Sequence, residues 1–279
     1  MPIGDAELQD AWKKVLERFP FPEYIKTPRN QVDVARQVSR FLPPGSRVLD
    51  FGAGPADKTG VVAVVGYDVT AMDDLQDSWH KKPSSRQAIL DYAKDIGINY
   101  LPISNGELPP TPDGEFDMVM SHDVVEHLHD PPRYLLNELL QRVRTGGYLY
   151  MTVPNAVNIR KRIAVLFGKT NHPVFPVYYW SPIPYRGHLR EYTRDDCIHL
   201  AKALGLELIE VKGWHQGVKA RVPKGLRTLY LAFSTLAPGT RDSWRLIARK
   251  PEGWQPKLEL AEDEMLSYTG LTCWDDLGH

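Results

Sequence analysis

The sequence predicts an α/β fold in which a mostly parallel sheet is covered by helices. Three observations carry this. Short apolar runs of five or six residues alternate with segments of helical period, small-residue or proline-containing turns separate them, and the alternation holds from residue 47 to residue 153. Crossover units produce this pattern; hairpins do not.

Residues 5–19 and 29–41 read as amphipathic helices, and in the second Val32, Val34, Ala35, Val38, Phe41 and Leu42 recur at helical spacing. Pro43-Pro44-Gly45 stops it. Residues 47–51 (RVLDF) read as a buried strand, and Gly52-Ala53-Gly54-Pro55-Ala56 as a turn into a short helix. Residues 67–72 (YDVTAM) form a second strand ending at Asp73-Asp74, residues 85–96 a helix, and residues 99–103 a third strand. A turn at 109–114 precedes a fourth strand at 116–120 (FDMVM). Residues 131–144 read as a helix ended by Gly146-Gly147, and 148–153 (YLYMTV) as the fifth strand. After Pro154 the alternation breaks. Residues 155–192 are rich in proline, aromatics and cations, and a stretch of that length reads as a functional lid. Thr193 caps a helix running to Leu204, with Asp195 and Asp196 in its first turn and Gly205 closing it. Residues 206–211 make a sixth strand, 224–237 an apolar helix, and 243–248 (SWRLIA) a final strand. The expected organisation is a helical extension over 1–43, a domain over 44–250 with a substrate lid at 155–192, and an acidic tail over 251–279.

Composition narrows the function classes. The 279 residues are 42% hydrophobic and 25% charged, an ordinary globular balance, and the net charge of −1 disfavours a nucleic-acid partner. Two cysteines, Cys197 and Cys273, exclude a disulfide scaffold. No apolar run approaches the roughly 20 residues that span a bilayer, and the N-terminus lacks a secretory pattern. A cytoplasmic protein is expected. The charge is segregated: −6 over 1–154, +11 over 155–250 and −6 over 251–279. A basic segment of that strength can focus an anionic acceptor.

A strand, a glycine turn and a helix start make a nucleotide-binding arrangement, supported here by an acid at the end of the next strand, where ribose hydroxyls can be bound. The dinucleotide fingerprint G-x-G-x-x-G/A fails, because its sixth position is Asp57. A cofactor without a pyrophosphate suits the turn better. Segment 121–130 (SHDVVEHLHD) follows the fourth strand with three histidines and three acids. Asp123, Glu126 and His127 stand at i, i+3 and i+4, so a helical turn would place them on one face.

VLDFGAGPA (48–56), GYDVTAMDDL (66–75), GEFDMVMSHDVVEHLHDP (114–131), GGYLYMTVPN (146–155) and YRGHLREYTRDD (185–196) together resemble class I S-adenosylmethionine-dependent methyltransferases. The resemblance implies a Rossmann-like, seven-stranded, mostly parallel sheet with helices on both faces and an antiparallel last strand. It implies S-adenosylmethionine as cofactor, held by Asp50, Gly52, Ala53, Gly54 and Ser121, with Asp73 as the ribose-binding acid and Asp74 as the neighbouring alternative. Ala56 replaces the third glycine of the family pattern, and Ser104-Asn105 replaces the usual acid after the third strand, where adenine is contacted.

Ubiquinone-pathway O-methyltransferases and small-RNA 2′-O-methyltransferases carry a similar acid-x-x-Glu-His cluster. Asp123, Glu126, His127 and His188 match positions that can hold a divalent metal there. The preferred reading is metal-free, with His127, His188 and Glu126 as the catalytic groups. The GHLREYT segment also resembles methyltransferases that modify sugars and glycans. The expected reaction is therefore O-methylation of a sugar hydroxyl on a nucleotide-sugar, polysaccharide or glycolipid, an anionic small-molecule or glycan acceptor. A quinone or secondary-metabolite acceptor (O- or N-) is the alternative, and a non-catalytic nucleotide-binding scaffold the alternative of another class. Residues 225–237 admit an interfacial helix in peripheral membrane contact, with a buried helix beside the sheet preferred. At least half of the lid aromatics are expected in the core.

Overall fold

The computed structural model describes residues 2–24, 31–77, 80, 82–104, 106–170, 172–215 and 222–269. Strands β1 (Arg47–Phe51), β2 (Asp68–Asp73), β3 (Asn99–Pro102), β4 (Phe116–His122), β5 (Val143–Pro154), β6 (Glu207–Trp214) and β7 (Ser243–Arg249) form one sheet in the order β3-β2-β1-β4-β5-β7-β6. The pairs β1–β2, β1–β4, β2–β3 and β4–β5 are parallel, and β7 runs antiparallel to both β5 and β6. The mixed sheet with a reversed last strand is the expected one. Strand order turns back between β1 and β4, which opens a crevice at their carboxyl ends.

Alternation in the strands divides the core. Val48, Val69, Met118 and Tyr150 face one side, packed with Leu8, Trp12 and Val15 of α1 (Asp5–Arg18), Val34 and Val38 of α2 (Gln31–Phe41), and Val61 of α3 (Asp57–Val64). Leu49, Val119 and Leu149 face the other side, against Leu136, Leu139 and Leu140 of α5 (Arg133–Gln141) and Cys197 and Ala201 of α8 (Arg194–Ala203). Between β2 and β3 runs α4 (Pro83–Asp95). Thr193 caps α8 in a full capping box with Asp196.

Three expectations need correction. Gly146 and Gly147 do not end a helix: α5 stops at Gln141, and the glycines lie inside β5. There the β4–β5 register shifts, and a Cβ on Gly147 would meet the Asp117 carbonyl oxygen at 2.7 Å, so glycine permits the bulge. The insert folds into two short helices, α6 (Ile159–Leu166) and α7 (Phe175–Trp180), whose aromatics Phe175, Tyr178, Tyr179 and Trp180 are exposed, not buried. The apolar helix α9 (Arg227–Leu236) is also open, with Ser234 its buried residue. His122 is buried within β4.

The segment after β7 packs on the body: Trp254 Nε1 donates to the Leu204 carbonyl at 2.7 Å, and Asn137 bonds both backbone groups of Lys257. A last helix, α10 (Glu262–Thr269), follows. Cys273 and the rest of the tail from residue 270 lie outside the described residues. No helix among the described residues is long and apolar enough to cross a membrane.

Candidate active site

The turn after β1 forms the floor of the crevice. Gly52 and Ala53 donate their N–H groups to the Met72 carbonyl at 2.8 and 3.2 Å, tying the turn to β2. Gly52 has φ +76°, and a Cβ there would lie 2.2 Å from Val124 Cγ2, so the position admits only glycine. Ala56 takes the left-handed conformation at φ +62° and is fully buried, at a backbone strain of about 1–2 kcal/mol.

Two acids frame this turn. Asp50 lies buried beneath it. Burial pushes its carboxyl up to about 7, while the Thr59 hydroxyl, donating to Asp50 Oδ2 at 2.5 Å, pulls the other way. At the end of β2, Asp73 Oδ2 accepts the Gly54 N–H at 2.9 Å and Oδ1 accepts the Leu75 N–H at 2.7 Å. Burial raises Asp73 to about 6, and these two backbone bonds restrain it. Asp74, the alternative, is held in a two-pronged pair by Arg186 Nη1 and Nη2, each at 3.0 Å, and Arg186 Nε reaches Asp77 at 3.3 Å. Ser121, next to last in β4 and opposite Phe51, is buried, and its hydroxyl lacks a partner among the described residues. Ser104 is exposed just beyond β3, and Asn105 lies outside the described residues.

The pieces fit an adenosyl cofactor. A side-chain-free cradle at residues 52 and 54 allows close backbone approach, and a partly buried carboxylate at the β2 end can accept ribose hydroxyls. Asp73, Asp50, the 52–54 backbone and Ser121 would hold it.

Beyond Ser121 the chain turns sharply. Asp123 sits at φ +60°, donates its N–H to the Thr152 carbonyl at 2.9 Å, and accepts from Lys58 Nζ at 3.3 Å. Only a three-residue 3₁₀ turn, Val125–His127, follows. The one-face arrangement of Asp123, Glu126 and His127 is therefore absent. A left-handed residue precedes the turn, and Asp123 faces Lys58 while Glu126 and His127 meet His188.

Glu126 is fully buried, and neither carboxyl oxygen has a hydrogen-bond partner among the described residues. Burial, reinforced by Asp123, pushes it up to about 8. His127 Nε2 and His188 Nε2 each lie 3.9 Å from Glu126 Oε1. His127 Nδ1 is 2.8 Å from the Arg186 carbonyl, and His188 Nδ1 is 2.9 Å from Glu191 Oε1. Carbonyl and carboxylate oxygens only accept, so both Nδ1 atoms donate, and each ring turns its Nε2 edge toward Glu126. Lys161 pairs with the other Glu191 oxygen. Leu189 and Arg190 donate backbone N–H groups to the Glu126 carbonyl at 2.7 and 3.3 Å, which fastens the 185–191 strap to the turn. The three ligand atoms lie within 4.8 Å of one another. One oxygen and two imidazoles, the imidazoles oriented from behind, can hold a divalent cation. His122 is driven to about 3 by burial and stays neutral, bonded to Thr152. His129 binds the Tyr185 carbonyl.

Fold and crevice together define the S-adenosylmethionine-dependent class I methyltransferases. A family model described as a methyltransferase domain matches residues 26–211, two thirds of the chain, and the chain belongs to that family. The ubiquinone biosynthesis O-methyltransferase of Rickettsia canadensis is 24% identical over 168 residues, 60% of this chain and 64% of the relative. The protein of the same name from Rickettsia conorii is 31% identical over 121 residues, 43% and 37% of the two chains. The chain thus spans less than two thirds of either relative. In solved structures, the 1,6-didemethyltoxoflavin-N1-methyltransferase of Burkholderia thailandensis, with S-adenosylhomocysteine bound, shares the fold. Its TM-score is 0.51 at 17% identity, over 90% of this chain and 92% of that one.

Sequence reasoning missed several parts of the site. Glu191, which orients His188, stands at i+3 from it, a spacing that could have been read. Lys58 on Asp123, Val124 under Gly52, and Tyr100, whose hydroxyl donates to the Gly54 carbonyl at 2.5 Å, are joined by tertiary contact and leave no local signal.

Proposed function

We propose that this methyltransferase acts on a hydroxyl of a small aromatic, quinol-type acceptor, and that the Glu126–His127–His188 cluster withdraws the hydroxyl proton. S-Adenosylmethionine supplies a methyl group already activated on a sulfonium sulfur. The chain must align the acceptor and take its proton, a contribution of about 10²–10⁴-fold. The observation that carries this reading is the buried Glu126 carboxyl, without a hydrogen-bond partner among the described residues, with His127 Nε2 and His188 Nε2 each 3.9 Å from it. Burial favours the protonated form of Glu126 at neutral pH, so an imidazole nitrogen beside it takes the proton that an acceptor hydroxyl brings. An amine acceptor reacts as its neutral form, whereas a hydroxyl gains from losing its proton in the transfer itself. The aromatic class rests on the name of the ubiquinone biosynthesis relatives and on the open aromatic surface of the insert.

A sugar hydroxyl on a phosphate-bearing acceptor is a second reading. The insert favours it, because residues 155–190 contain six cations and no acid. In both readings the donor set of the cluster also suits a divalent cation acting on the acceptor oxygen. The test is labelled-methyl transfer by the purified protein to an o-diphenol and to a nucleotide-sugar, with and without chelator. Transfer to the diphenol, with no transfer by Glu126→Gln, supports the proposal. Transfer to the sugar alone moves the acceptor to the second reading, and transfer only to amines refutes both. Activity lost to chelator and restored by Mg²⁺, Mn²⁺ or Zn²⁺ assigns the cation to the cluster.

A further inference from the structure

Helices α6 and α9 present a surface that methyl transfer does not require. Helix α9 is anchored through buried Ser234, bonded to His215 at 2.8 Å, and through Tyr230, whose hydroxyl lies 3.3 Å from Asp242 Oδ1. Its Leu229, Phe233 and Leu236 stand open to water, Leu236 at 87% exposure. Helix α6 adjoins it, because Arg160 binds the same Asp242 oxygen at 2.8 Å. Val165 and Leu166 of α6 and Phe167 just after it are exposed as well, Leu166 at 82%. Single exposed apolar side chains are ordinary; two adjoining helices of them mark an interaction surface.

The charges identify the occupant. No Asp or Glu occurs from residue 155 to 190 or from 211 to 241, whereas the exposed Arg162 and Lys224 flank the apolar groups. A second copy of the chain would set these cations against their own kind. An anionic bilayer accepts both features, apolar side chains entering the headgroup boundary and cations meeting lipid phosphates. We infer that α6 and α9 form an interfacial face that docks this methyltransferase on anionic membrane. Helix α6 starts five residues after β5 ends, at the crevice edge of the sheet, so docking brings the insert toward the lipid. The inference does not depend on which acceptor is methylated.

The test is co-sedimentation of the full chain with vesicles of phosphatidylcholine alone and of phosphatidylcholine with one third phosphatidylglycerol. The chain is expected to sediment with the anionic vesicles about tenfold better than with the neutral ones, and high salt should abolish the difference. The double variant Leu229→Glu/Leu236→Glu should lose at least about tenfold of that binding. Its affinity for S-adenosylhomocysteine should match the parent, since both leucines are exposed and lie outside the crevice. Equal, salt-insensitive binding to both vesicles would overturn the anionic assignment. No sedimentation, or a dimer in solution that the double variant dissociates, would overturn membrane docking.

Discussion

Replacing Asp73 by Asn tests the cofactor site with nearly the same shape and no charge. In the parent, two backbone N–H groups, those of Gly54 and Leu75, each donate to a different Asp73 oxygen. Asn offers one oxygen, so one N–H faces an amide NH₂ and loses its partner, at about 1–3 kcal/mol. Hydrogen bonds from ribose hydroxyls to an ionised acceptor contribute about 1.5–3 kcal/mol each. Losing even one weakens S-adenosylhomocysteine binding at least about tenfold at roughly 1.4 kcal/mol per decade. The pH dependence is a separate signature. Burial raises Asp73 to about 6, and a ligand that donates to the ionised carboxylate must displace its proton below that pH. Affinity in the parent should then fall about tenfold per pH unit below 6 and level off above it. Isothermal titration calorimetry between pH 5 and 8 measures both effects. An Asn variant that keeps the parent's affinity and pH profile would refute Asp73 as the ribose-binding acid.

Three further perturbations follow from the geometry. Gly52→Ala drives a methyl to 2.2 Å from Val124 Cγ2 in a left-handed backbone, so S-adenosylhomocysteine binding should disappear in calorimetry, and pairing it with Val124→Ala should restore only part. Arg186→Ala removes the clamp on Asp74 and Asp77 that draws the strap across the mouth of the crevice; KM for S-adenosylmethionine should rise several-fold with the melting temperature little changed, because these partners are largely solvent-exposed. Lys250→Met leaves the Leu140 and Val143 carbonyls, each now 2.7 Å from Nζ, without their donor, and denaturant unfolding should register a loss of about 2–3 kcal/mol.

The features legible in the sequence were those set by local rules. The glycine turn, Asp73 at a strand end and the Thr193 capping box are each fixed within a few residues, and the strand alternation follows from burial on both faces. The misread features depend on what packs where. Gly146 and Gly147 punctuate a strand as a bulge because the Asp117 carbonyl approaches closely, a contact from the neighbouring strand. Asp123 at i−3 from Glu126 suggests a helix face, but its left-handed backbone and its ion pair with Lys58, 65 positions earlier, turn it elsewhere. Apolar content alone does not separate a core helix from an exposed one, so RTLYLAFSTL read as buried. The absence of acids around it was the available signal.

The carboxylates of the site also govern how stability follows pH. Asp50, Asp73 and Glu126 are raised to about 7, 6 and 8. Each keeps its proton in the folded state after the unfolded chain has released it, so each favours folding at low pH and loses that contribution as pH rises through its folded value. His122, held neutral with its value near 3, and His80, also lowered, act in the opposite sense below the ordinary histidine range. Between pH 5 and 6.5 the two groups of effects oppose. Above about 6.5 the histidines are neutral in both states, and the carboxyls act alone. One proton held across 1.5 pH units corresponds to about 2 kcal/mol. The ligand-free protein should therefore lose stability from pH 6.5 to 8, and Glu126→Gln, which has no charge to bury, should flatten most of that decline in denaturant titrations. A parent whose stability is level or rising over that interval would mean that Glu126 is already ionised, with its charge met by a cation. In that case the cluster is a metal centre, and chelation should bring the decline back.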